Sequence, residues 1–201
     1  MRVSISSIVL IIATLFAVDI QAKKPGEPFS DEDLLSRTLV VLNIDHLADL
    51  RPALLQLRYE PGLPGVLDTI ATSQKHDLVT RSRAVTALLG SPSSMARPVF
   101  LAIFDSSSET AFMKRKALEA MALRFKTDAA VLATRSLRSH DLALRETSIK
   151  VINAHPTKSS ITALRRHLTT ERNGYLRKQA RRVLTSSTKV LGIRGQGVER
   201  R

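Results

Sequence analysis

The chain has no cysteine and no tryptophan among its 201 residues. Without cysteine there is no disulfide framework, no thiolate zinc site and no lipid-modified residue behind a leader. Without tryptophan, and with only two tyrosines and 4% aromatics, the usual stacking platforms for single-stranded nucleic acid are scarce, as are the bulky residues that favour sheets. The one glycine-rich stretch, GIRGQG from Gly192, precedes no helix signal and fits no phosphate-cradling fingerprint. His46, His155 and His167 stand singly, without a nucleophile at a recognisable spacing, and read as solvated or capping residues. These absences leave no catalytic residue, no metal site and no cofactor site to assign, and the chain is read as a non-enzyme.

Long apolar runs are equally scarce. The only one, Ile8 to Val18, is shorter than the roughly 20 residues a membrane-spanning helix needs, and Asp19 ends it. With Arg2 before it and small Ala22 after it, residues 1–22 have the form of a secretory signal cleaved after Ala22, followed by a linker over 23–30. The expected compartment is periplasmic or secreted, with no transmembrane helix left after cleavage.

Acidic residues are short in one half only. Residues 1–106 hold 10 Lys/Arg against 11 Asp/Glu, whereas residues 107–201 hold 21 against 7, so a net charge of +13 divides into −1 and +14. An excess of this size in one half points to an anionic partner, while also serving to keep a helical surface wet.

What the sequence does have is a repeat. Four segments superpose, DLVTRSRAVTAL from Asp77, TAFMKRKALEAM from Thr110, DLALRETSIKVI from Asp141 and NGYLRKQARRVL from Asn173, at spacings of 33, 31 and 32 residues. Each opens on a residue able to accept the orphan N–H groups of a first helical turn. A cation follows at four (Arg81, Lys114, Arg145, Arg177), a small residue three later (Ala84, Ala117, Ser148, Ala180), then an apolar pair ending at Leu88, Met121, Ile152 and Leu184. That spacing marks one helix face, with the small residue allowing close helix approach. An apolar helix precedes each segment, beginning at Leu63, Ser94, Asp128 and Ser160, with turn-forming stretches between. The unit is a helical hairpin of about 32 residues, which must stack on its neighbours to bury its apolar face. The paired His-Asp-Leu openings at His76 and His140 belong to this repeat; two repeats apart they stand on the order of 20 Å from each other, too far to share a metal.

On these residues the pattern resembles the HEAT repeat, in the short form of phycobilisome lyase-like proteins. The resemblance implies an all-α, right-handed α-solenoid of about four hairpins over 60–187, with a helix pair over 31–59 capping its N-terminus and a basic tail over 188–201 expected to be disordered. It also implies that the second helices line the concave face, where Asp77, Asp141, Asn173, Arg81, Lys114, Arg145 and Arg177 would bond in a ladder between repeats, weakest where Thr110 and Lys114 replace Asp and Arg.

The candidate anion-binding residues follow from the repeat register. Arg83, Lys116, Lys150 and Arg182 stand two or five residues beyond the ladder position, with Lys178 beside it and Arg165 and Arg166 on the last first helix. In the final repeat Arg181 stands where the others have Val85, Leu118 and Ile149, as a terminal repeat with a wetted outer face requires. The reading is an exported scaffold or adaptor that binds a protein or an anionic envelope component through its groove. The alternatives are a nucleic-acid-binding protein, since a HEAT-like fold serves DNA glycosylases, and a lyase- or hydroxylase-like enzyme on fold analogy alone.

Overall fold

The computed structural model describes residues 29–44, 52–55 and 57–190. Residues 1–22, expected to form a signal, most of the expected linker, residues 45–51 with His46, residue 56, and the expected tail beyond Val190 lie outside these residues. Among the described residues there is no strand; besides helical residues at 52–55 and 57 the elements are α1 (Asp31–Leu42), α2 (Leu63–Thr72), α3 (Leu78–Ala87) running into the 3-10 turn Leu88–Gly90, α4 (Ser93–Asp105), α5 (Ala111–Arg124), α6 (Lys126–Ser136), α7 (Leu142–Ala154), α8 (Lys158–Thr170) and α9 (Gly174–Val190). None is long and apolar enough to cross a membrane. α9 continues three residues past the repeat pattern, into the segment expected to be disordered.

The capping residues read from the repeat start their helices. Asp77 accepts from the N–H groups of Val79 and Thr80, Thr110 from Met113, Asp141 from Leu144 and Asn173 from Leu176 at 3.1 Å. Each satisfies donors that the first helical turn cannot pair internally, which contributes about 1 kcal/mol. α8 adds a reciprocal cap, in which Thr157 and Ser160 each accept the other's backbone N–H.

Each first helix packs on the second helix of its own hairpin, in the pairs α2–α3, α4–α5, α6–α7 and α8–α9. The second helices then stack in chain order, α3 on α5 on α7 on α9, and α1 packs on both α2 and α3. The small residues account for the close approach: Ala84, Ala117, Ser148 and Ala180 are all fully buried. So are Leu88, Met121 and Ile152 of the apolar pairs, and each large side chain buried in this way stabilises by about 1.5–3 kcal/mol.

Among the first helices the stacking is uneven. α2 packs on α4 and α6 on α8, but α6 packs closely on α5 rather than on α4. One residue, Phe125, separates α5 from α6, and its ring meets Phe100 edge-on at 6.3 Å. The α4 and α6 helices are joined through exposed ion pairs, Arg97 to Asp128 at 2.6 Å and Arg135 to Asp105 at 2.7 Å.

Candidate anionic-partner surface

The cations of the repeat divide into those committed to structure and those left over. Arg81 on α3 is buried, donates to the Ala71 carbonyl at 3.1 Å, and pairs with Glu109 in the turn before α5. Arg145 on α7 does the same one pair of hairpins later. It donates to both oxygens of Glu171 at 2.8 and 3.3 Å, and to the carbonyls of Ser139 and His140 at 2.9 and 3.0 Å. Each arginine thus ties its own hairpin to the turn of the next, through a carboxylate one or two residues ahead of the next cap. In place of the expected Asp–Arg ladder Arg81 and Arg145 form this Arg–Glu clasp, while Asp77 and Asp141, both exposed, cap their own helices. At the middle junction Lys114 replaces the arginine, and Ser139 and His140 occupy the places where Glu171 and Glu109 stand in their hairpins.

A second group of side chains closes the other end of the helices. Arg83 donates to the carbonyls of Leu42 and Ile44 at 2.7 and 2.9 Å. Arg124 donates to those of Leu89 and Ser91 at 2.8 and 2.6 Å. His155 Nε2 lies 2.8 Å from the Ala122 carbonyl. In each case a second helix, or the residue ending it, satisfies carbonyls left open at or near the C-terminal end of an earlier helix with which it is not consecutive. Arg83 therefore leaves the candidate stripe, since its guanidinium is occupied by backbone. Lys116 is also occupied, by Glu119 at 3.2 Å and by the ring of Phe112.

The surface that remains is centred on α9. Its buried side carries Leu176, Ala180, Val183, Leu184 and Ser187. Arg177, Lys178, Arg181 and Arg182 are exposed and line a shallow surface depression with Gly174, Thr185 and Ser186. None of the four cations has an ion-pair partner among the described residues. A groove between α7 and α9 brings Arg182 together with Lys150, along with Asn153 and Gln179. Lys150 is 64% exposed although it reaches Glu146 at 2.8 Å. That carboxylate is held below its ordinary pKa, first by the Lys150 hydrogen bond, so the pair stays ionised.

Arg166 lies elsewhere. It lines a groove between the first helices α6 and α8, with Arg135, Arg138, Lys158 and His167. Arg165 beside it is half-buried. The expected single stripe therefore falls on two different layers, and Lys150, Lys178 and Arg182 alone share the second-helix side. Arg177, read from the sequence as a ladder residue, and Arg181, read as a wetted cap, join them. Their signal was the substitution of Arg181 for a packing residue.

The histidine–carboxylate–arginine group at the α8–α9 turn was not legible either. His167 is buried, with Nε2 3.0 Å from Glu171 Oε2 but off the line a hydrogen bond needs. Burial pushes its pKa down, nearby Arg145 adds to this, and Glu171 opposes it, so the ring is neutral near pH 7. Burial alone would raise the Glu171 carboxyl; the hydrogen bonds from Arg145 and the Asn173 N–H, with the Arg145 charge, carry it below its ordinary value. Among the described residues no group of three His, Asp or Glu side chains is placed to hold a metal ion.

No family model matches this chain, and no curated protein matches it significantly. The surface is defined by its own chemistry: an exposed cationic face of α9 with no acidic residue on that helix, at the end of the described stack of helical hairpins.

Proposed function

We propose that the protein is a non-catalytic binding scaffold, a HEAT-like right-handed α-solenoid whose C-terminal end holds an anionic macromolecule. The observation that carries this reading is the state of α9. On the inner second helices Arg81, Arg145, Lys116, Arg83 and Arg124 are engaged by Glu109, Glu171, Glu119 and backbone carbonyls, whereas Arg177, Lys178, Arg181 and Arg182 on α9 are exposed and unpaired among the described residues. Keeping a terminal helix wet requires polar residues, but not four cations without a single acid interspersed. The α7–α9 groove extends the patch to Lys150, so two second helices contribute. The apolar run at Ile8–Val18 supports an exported protein acting outside the cytoplasm; N-terminal sequencing of the mature chain tests this, and an intact Met1 contradicts it.

The binding reading is tested by retention on a polyanion column. Reversing Lys150, Lys178 and Arg182 to Glu should lower the salt needed for elution far more than reversing Arg194, Arg200 and Arg201 of the tail. Both sets change net charge equally. Attraction through a localised patch fades as the Debye length contracts from about 30 Å at 0.01 M salt to about 8 Å at 0.15 M. Equal losses from the two sets mean that overall charge alone drives retention and that α9 is merely a wetted cap.

A further inference from the structure

The cations of the last two hairpins do not share one plane. The α7–α9 groove is lined by second helices only, with Lys150 and Arg182. The α6–α8 groove is lined by first helices and the residues that follow α6, with Arg135, Arg138, Lys158 and Arg166. Because each first helix packs on the second helix of its own hairpin, a groove between first helices and a groove between second helices open on opposite sides of the structure. Between them α9 presents Arg177, Lys178 and Arg181, and Arg182 and Ser186 belong both to its outer face and to the α7–α9 groove.

The α6–α8 groove has the same chemical character as the α9 face. No carboxylate lines it, and Arg138, Lys158 and Arg166 are exposed, with no acidic partner among the described residues. Arg135 is committed to Asp105. The hydroxyls of Thr134, Thr162, Thr169 and Thr170 already donate to carbonyls of their own helices. Recognition there is therefore by charge, with few donors left to read a specific neutral group.

A flat anionic bilayer can touch only one of these sides at a time. A flexible chain of regularly spaced negative charges can follow α9 from one groove and turn to the other. Building on the binding role proposed above, we propose that the partner is a flexible linear polyanion that wraps the C-terminal end of the structure and engages both the α7–α9 side and the α6–α8 groove. Multiple weak contacts along one chain add through effective concentration, which short anions cannot exploit.

The test uses the full mature chain with three probes: long-chain inorganic polyphosphate, tripolyphosphate, and vesicles of phosphatidylglycerol mixed with phosphatidylcholine. Two triple reversals to Glu are compared, one at Arg138, Lys158 and Arg166 and the other at Arg177, Lys178 and Arg181. A control triple reverses Arg58, Lys75 and Lys126. All nine residues are exposed, and unchanged thermal unfolding establishes that each variant folds. Each of the first two triples should weaken long-chain polyphosphate binding by at least about tenfold relative to the control, and tripolyphosphate should bind far more weakly than the long chain. If the α6–α8 triple binds polyphosphate like the control while the α9 triple does not, wrapping is overturned and the one-sided binding role stands. Vesicles bound as tightly as long polyphosphate, with only the α9 triple impaired, also overturn it in favour of a membrane surface. If neither triple differs from the control, both proposals fall.

Discussion

Helices α5 and α9 are written on the same template and use it in opposite ways. In α5, Leu118 is fully buried, Lys116 is held by Glu119, and Arg124 closes the end of the preceding hairpin. In α9 the counterpart of Leu118 is exposed Arg181, and its neighbours Arg177, Lys178 and Arg182 are exposed too. An inner helix has a neighbour on each side, and side chains such as Leu118 and Arg124 are spent on packing and bonding to it; the last described helix packs on one side only. The difference shows where the repeat stops being structural and where its chemistry becomes free for a partner.

The comparison can be broken most violently by giving α5 the residue of α9. Leu118→Arg buries an unpaired charge among packed side chains and should cost more than about 4 kcal/mol, enough to unfold a domain of ordinary stability. Chemical denaturation or loss of soluble expression reads the effect. The reverse change, Arg181→Leu, should leave the unfolding midpoint within about 0.5 kcal/mol of the parent while reducing retention on a polyanion. A large stability change there would mean that the outer face of α9 is covered.

Breaking a clasp should come next in size. Glu171→Gln leaves Arg145 and His167 without their shared carboxylate and should cost about 3 kcal/mol, as loss of one partner of a buried pair does. The pH dependence follows from the same group. Glu171 and His167 both have folded pKa values below their ordinary ones of 4.5 and 6.5. The unfolded chain therefore binds protons more readily at both sites, and stability present above those values is lost on acidification. Thermal midpoints should fall first below about pH 6.5 through His167 and again below about pH 4.5 through Glu171; a midpoint unchanged down to pH 4 contradicts this.

Smaller effects sharpen the packing side of the comparison. Ala117→Leu should overpack the α5 interface by roughly 1–3 kcal/mol, and Asp141→Ala should cost about 1 kcal/mol through its lost cap. His140→Ala should cost almost nothing, because it is exposed and the bonds of Arg145 at this point go to its carbonyl. Urea titrations of the three variants check the order.

How much of this could be read from the sequence depended on the range of each interaction. Caps, small residues and apolar pairs recur within one helix at fixed offsets, so Asp77, Ala117 and Met121 announced their roles. The clasps were hidden because Glu109 and Glu171 lie in turns at offsets that differ by one residue. Arg83 and Arg124 were hidden for another reason: their acceptors are backbone carbonyls 33 to 41 residues away, and no side chain marks an orphan carbonyl. Arg166 was read correctly on a first helix, but the two helix layers face different ways, so it lines the α6–α8 groove and does not join the second-helix cations.

The claim that a polyanion engages the α7–α9 side and leaves α5 untouched is tested most directly by lysine acetylation footprinting with and without long-chain polyphosphate. The account predicts strong protection of Lys178 and Lys150 by the polyanion, with Lys114 and Lys116 reacting at the same rate in its presence and absence. Uniform protection of all four, or protection of Lys114 and Lys116 in place of Lys178, would contradict it.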